Sequence, residues 1–208
     1  TIFVAPGVYH EFSVKNEDNL RILAAPGATI SSDGARPAVR VEDSTKISIE
    51  GFKVRAADGD YAHGIDCDNS QLFLKKMQSN WNARTGLNAI LCDVYAEDSD
   101  FLTNREFGVN ATNSSMCLKN VRASDNDEGG VSVSQELPVY KVEAHDSYVA
   151  NNAGHGVRAD GGSLRLRNVD IFENDGDGVS VFDTFTKVED SNVFRNSEKA
   201  VMAEGGTL

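Results

Sequence analysis

A short phrase returns along this chain at a nearly constant interval. Its first apolar residue is Val39, Ile65, Leu87, Val109, Val131, Val157, Val179 and Val201, at steps of 22 or 26 residues. Glycine precedes six of the eight, as in Gly130-Val131-Ser132-Val133 and Gly178-Val179-Ser180-Val181, with Ala38 and Ala200 at the ends. A period of this length marks each repeat as one structural unit, whose apolar face is covered by its neighbours in a stack.

Two further columns keep the same register. Asn82, Asn104, Asn126, Asn152, Asn174 and Asn196 each fall five residues before an apolar marker, and Asp98, Asn120, Asp146, Asn168 and Asp190 repeat with the same steps. Between the columns apolar residues alternate, as at Val179 and Val181, then Val188, then Val193. Three short alternating stretches per repeat, separated by Gly, Asn and Asp, predict three short strands and no sustained helix. Stacked rungs lie roughly 4.8 Å apart. The valines then form an internal column, and the asparagines a ladder that bonds the next rung's backbone. Asn, Asp and Gly suit the left-handed conformation that tight corners require.

This pattern, together with the entry segments "TIFVAPGVYHEFSV" and "NLRILAAPGATI", resembles the right-handed parallel β-helix of the pectate-lyase-like superfamily. The resemblance implies an all-β, right-handed, single-stranded parallel solenoid of about eight coils with three short parallel sheets. Residues 1–36 would be entry coils and residues 37–208 the regular repeats of a single β-helix domain. It also implies an extracellular or cell-surface location. No amphipathic capping helix is visible at either end, so the expectation is an excerpt of a longer chain or end-on contact with a protein partner.

The formal charge is −12. Lys and Arg do not cluster, which argues against a nucleic-acid partner, and no run of 18 apolar residues could span a membrane as a helix. Cys67, Cys92 and Cys117 fit neither a disulfide framework nor a metal motif, so free buried thiols are expected. Asn110-Ala111-Thr112 and Asn113-Ser114-Ser115 are sequons by pattern.

Inward residues of such a solenoid are structural, which leaves outward positions and loops for chemistry. The long step before Ile65 places its extra residues in "RAADGDYAHG". That loop carries Asp58, Asp60, Tyr61 and His63, and it should overhang Asp66 and Asp68, with Arg40 one rung below and Asn88 one above. Asp66 and Asp68 share a face at a spacing of roughly 6.5–7 Å. Asp66, Asp68, His63, Tyr61 and Arg40 are the candidate catalytic residues. Paired carboxylates at that spacing suit an inverting glycosidase. Carboxylates with backbone oxygens suit Ca²⁺, with Asp58 and Asp60 as candidate ligands. A lyase or epimerase of uronic acids would neutralise the sugar carboxylate and use His63, Tyr61 or Arg40 as base. A solvated acidic edge is the bland alternative.

Asn88, Arg158 and Asp160 are candidate substrate-binding residues, the last two in a second cluster with His155. Gly154-His155-Gly156 also occurs in polygalacturonase-like hydrolases, but their paired aspartates and Arg-x-Lys are missing here. For both His63 and His155 a turn histidine with a structural hydrogen bond is the plainer expectation. Trp81, the sole tryptophan, is expected to pack against its turn rather than to stack a sugar, and exposed Phe182, Ile90 and Met202 need no special role. Two functions remain: a carbohydrate-binding or carbohydrate-processing domain acting on a polysaccharide, or a non-catalytic structural solenoid.

Overall fold

Three runs of parallel strands wind around one apolar column, and each strand pairs with its counterpart in the rung above. The computed structural model describes residues 1–34, 36–56, 59 and 62–207. Among the described residues, nine strands form the sheet that carries the repeated phrase, in the order Val201–Glu204, Val179–Phe182, His155–Asp160, Gly129–Ser134, Phe107–Thr112, Leu87–Ile90, Ile65–Asp68, Val39–Glu42 and Phe12–Lys15. Phe12–Lys15 adds a rung ahead of the eight markers, giving about nine turns.

The other two faces are hydrogen-bonded into one 16-stranded sheet. They join because two strands, Lys141–Ala150 and Ser163–Phe172, turn the corner without breaking. Asp146 and Asn168 make that bend with φ of 51° and 53°. The three expected sheets are thus three faces, two of them continuous.

Registers are like on like. Val109 pairs with Val131, Asn110 with Ser132 and Ala111 with Val133. Val39, Ile65, Leu87, Val109, Val131, Val157 and Val179 are all buried, and with the other inward residues they form one continuous core. Burying each such side chain contributes about 1.5–3 kcal/mol. A single rung has no second layer, so the contribution exists only when rungs stack. Toward Thr1 the column opens to solvent in an apolar hollow of about 590 Å³ lined by Ile2, Phe3, Val4, Phe12, Leu20 and Phe52.

The asparagine column is a continuous buried ladder. Asn126 Oδ1 accepts from both Asn104 N, at 3.0 Å, and Asn104 Nδ2, at 3.0 Å. Asn126 in turn donates from its N and Nδ2 to Asn152 Oδ1, and the pattern runs from Asn82 to Asn196. The glycine before six of the markers leaves room for it. A Cβ on Gly108 would lie 2.8 Å from Asn126 Nδ2 and 2.9 Å from Gly130 O, so the two columns interlock.

Each coil also has left-handed corners. Asp98, Asn120, Asp146, Asn168 and Asp190 form one corner column; Asn120 donates to Asp98 and Asn168 to Asp146, each at 2.7 Å. A second column holds Trp81, Thr103, Asp125, Asn151, Glu173 and Arg195, with φ between 55° and 62°. That conformation costs an L-residue roughly 1–2 kcal/mol, least for Asn and Asp.

Cys67 and Cys92 are joined by a disulfide, which corrects the expectation of three free thiols; only Cys117 is free. The bond clamps adjacent rungs, an arrangement that stacking sets and linear spacing conceals.

Asn126→Ala removes the acceptor of two buried donors at about 1–3 kcal/mol each, so chemical denaturation should show a loss of about 2–6 kcal/mol. Asn120→Ala, at an exposed left-handed corner, should cost about 1–2 kcal/mol, through backbone strain rather than lost burial. Reducing the disulfide, whose cysteines are 25 residues apart, should lower unfolding free energy by about 3 kcal/mol.

Candidate functional site

On the outer surface of the nine-stranded sheet, Arg40, Asp66 and Asn88 stack in one column, and Glu42, Asp68 and Ile90 in the next. The guanidinium of Arg40 sits among three carboxylates. Its Nε lies 3.5 Å from Glu42 Oε2 and 3.9 Å from Asp66 Oδ2, and Nη2 lies 3.9 Å from Asp68 Oδ2. These are ion-pair distances that do not satisfy hydrogen bonding, and Arg40 Nε is buried without a hydrogen-bond partner. Glu42 is held instead by Lys15 Nζ at 2.7 Å. Asp66 Oδ1 accepts from Asn88 Nδ2 at 2.8 Å, and Asn88 Oδ1 accepts from Asn110 Nδ2 at 2.9 Å. This amide relay orients Asp66 from above.

His63 stands on the turn that enters the same strand. Its carbonyl accepts from Ala38 N below, and the next residue, Gly64, donates to Thr85 O above. Burial pushes the imidazole below its ordinary value of 6.5; Asp66 opposes the shift, Arg84 adds to it and Glu106 opposes it. The ring is therefore neutral near pH 7. Its Nδ1 is buried and lacks a hydrogen-bond partner among the described residues.

His155, on the equivalent turn four rungs away, is different. Its Nδ1 accepts from Asp177 N at 3.0 Å, and Asp177 Oδ1 accepts from Lys199 N at 2.9 Å. The structural hydrogen bond expected of both histidines is present at His155 and absent at Nδ1 of His63.

Beside His63 lies a group that linear reading missed. Arg84 Nε donates to Glu106 Oε1 at 2.8 Å, and the Thr85 hydroxyl donates to Glu106 Oε2 at 3.0 Å. On the next turn burial raises the carboxyl of Glu128, with Glu106 adding to the shift and Arg84 opposing it. Residues 62, 84, 106 and 128 keep the 22-residue step, so the period could have exposed the column, but not its pairing.

The remaining candidates are spread out. Tyr61, Asp58 and Asp60 lie outside the described residues. Among the described residues no group of three or more His, Cys, Asp or Glu could hold a metal ion. Arg158 and Asp160 occupy the same two outer columns as Asp66 and Asp68 but four rungs on, roughly 19 Å at 4.8 Å per rung. There Arg158 lies over the Phe182 ring, 6.0 Å from its centroid. Below Arg40 a cleft of about 410 Å³ opens, lined by Glu11, Phe12, Ser13, Arg36, Pro37, Arg40 and Glu42. The larger apolar hollow near Thr1 brings no charged cluster with it.

A family profile described as a right handed beta helix region matches residues 38–207. Comparison with curated protein sequences finds no match. Among solved structures the chain is similar to the A-module of mannuronan C-5 epimerase AlgE6 from Azotobacter vinelandii, with TM-score 0.79 and 18% identity over 97% of this chain and 70% of that one. It is also similar to pectate lyase Pel9A, with TM-score 0.74 and 14% identity over 99% of this chain and 67% of that one. The enzymatically active domain of tailspike protein 2 from bacteriophage CBA120 superposes with TM-score 0.69 at 10% identity, over 97% of this chain and 38% of that one. At these identities the likeness establishes the fold.

The unfolded chain binds a proton at His63 more readily than the folded one does. Stability should therefore fall as pH drops below about 6.5 and level off once the folded value is passed. The His63 ring protons should titrate by NMR with a midpoint below 6.5, and His63→Gln should remove this part of the stability slope.

Proposed function

The chain belongs to the right-handed β-helix family, and from that premise we propose that its nine-stranded face binds a polysaccharide and abstracts a proton from it beside Arg40, His63 and Asp66. The observation that carries this reading is a pair of buried polar atoms without hydrogen-bond partners, Arg40 Nε and His63 Nδ1, both near Asp66. A buried polar group left unbonded costs about 1–3 kcal/mol. Of four such atoms among the described residues, two lie beside one carboxylate, where a ligand would bond them once the covering side chains shift.

The roles follow from the chemistry of each group. His63, neutral because it is buried, is the base. Arg40 pairs with a sugar carboxylate and withdraws charge from it as the neighbouring carbon loses its proton. Asp66, oriented by Asn88, positions the Arg40 guanidinium, and Asp68 holds its outer side. The cleft below Arg40 receives the polymer, while Arg158 and Asp160 bind it further along the face. Proton removal next to a carboxylate leads to epimerisation if a proton returns to the other side of the ring, and to chain cleavage if the glycosidic oxygen leaves. The similarity to a mannuronan epimerase and a pectate lyase supports a uronate polymer as substrate.

Purified protein should be assayed on polymannuronate, polygalacturonate and an α-1,3-glucan for epimer ratio, unsaturated products and reducing ends. His63→Ala should lower turnover by about 10²–10⁴-fold, and Arg40→Ala should both raise KM and lower turnover. Turnover should persist below pH 6.5, since the base stays neutral there. An EDTA arm tests calcium: abolished turnover would show a metal requirement, and Asp58→Ala and Asp60→Ala would then test those two as its ligands. A wild-type protein inert on every polymer, or a His63→Ala variant at full rate, would favour the structural solenoid instead.

A further inference from the structure

Trp81 occupies a position that its own rung does not need it to fill. It lies at a left-handed corner with φ of 62°, where a bulky side chain is a steric outlier. The equivalent corners above it carry Thr103, Asp125, Asn151, Glu173 and Arg195, all polar. Strain of this kind is ordinarily offset by packing, yet Trp81 is 63% exposed. The indole therefore has a conformational cost without a matching gain from burial. Packing against the turn, the plainer expectation from sequence, is not what the structure contains.

Beside the indole a surface groove of about 520 Å³ runs along the solenoid axis, lined by Ala56, Ala83, Thr103, Arg105 and Asp127 together with Trp81 and Asn82. It combines a flat aromatic face with a hydroxyl, a guanidinium and a carboxylate on the two rungs above. A pyranose ring has that same division, with C–H groups on its faces and hydroxyls at its edge. Four residues past Trp81, Thr85 stacks on the turn of His63, so the groove flanks the candidate catalytic turn.

We propose that Trp81, Thr103, Arg105 and Asp127 form a sugar-binding subsite, separate from the outer strand face, in which one pyranose stacks on the indole. The choice of a sugar over another flat amphipathic ligand leans on the polysaccharide reading above, but the site uses none of the residues assigned there to catalysis.

Trp81 is the sole tryptophan, so its emission reports on this position alone. Tetrasaccharides of mannuronate, galacturonate and α-1,3-linked glucose are titrated into wild type and into His63→Ala. A saturable shift or quench of emission is expected for at least one of them in both proteins. Trp81→Gly, which the corner conformation favours, should keep or raise Tm while weakening calorimetric affinity of the His63→Ala protein by tenfold or more. Emission unchanged across the panel overturns the subsite, as does a lowered Tm for Trp81→Gly, which would make the indole a packing residue. Turnover with silent emission sinks this inference alone; responsive emission in a protein without turnover sinks the catalytic reading alone.

Discussion

Everything in this molecule depends on in-register parallel pairing of each rung with the next. A rung of strands two to ten residues long has no core of its own, and its aliphatic side chains leave water only when another rung covers them. The registers place Val109 on Val131 and Asn110 on Ser132, so any slip by one residue would turn the apolar column outward. The asparagine ladder guards against that slip. Each buried amide oxygen takes two donors from the rung before it, and no other register supplies both.

The same constraint explains where chemistry can reside. Inward columns are committed to packing, and the glycine column is committed to the ladder, because a Cβ at Gly108 would meet Asn126. Outer strand positions and turns are free to vary, and they carry Arg40, Asp66, His63 and Glu106. Stacking brings residues 22–26 apart in sequence to neighbouring heights, so outer side chains of several rungs meet on one face. The price is openness: the clefts at Arg40 and Trp81 are surface grooves, suited to an extended chain lying along the axis rather than to a small enclosed ligand.

Two histidines on equivalent turns show how little a repeat says about a particular site. His155 and His63 occupy the same place in the coil, but Asp177 donates its backbone N–H to His155 Nδ1, and no described residue does so for His63. Similarly, Cys67 and Cys92 looked unrelated at a spacing of 25, yet adjacent rungs bring their Cα atoms to 6.4 Å.

From the chain alone came the solenoid, the inward valines, the ladder from Asn82 to Asn196 and the polar corners, because each is a column that must recur in every rung and so leaves a period. The stacking of Arg40, Asp66 and Asn88 was legible for the same reason. Tertiary structure alone decided that Arg40 Nε and His63 Nδ1 lack hydrogen-bond partners among the described residues, that Arg84 holds Glu106, that two faces fuse at Asp146 and Asn168, and that Trp81 stands in solvent. Those outcomes turn on side-chain direction, burial and competition among neighbours within a few ångströms, which a repeat period specifies only to the level of the rung.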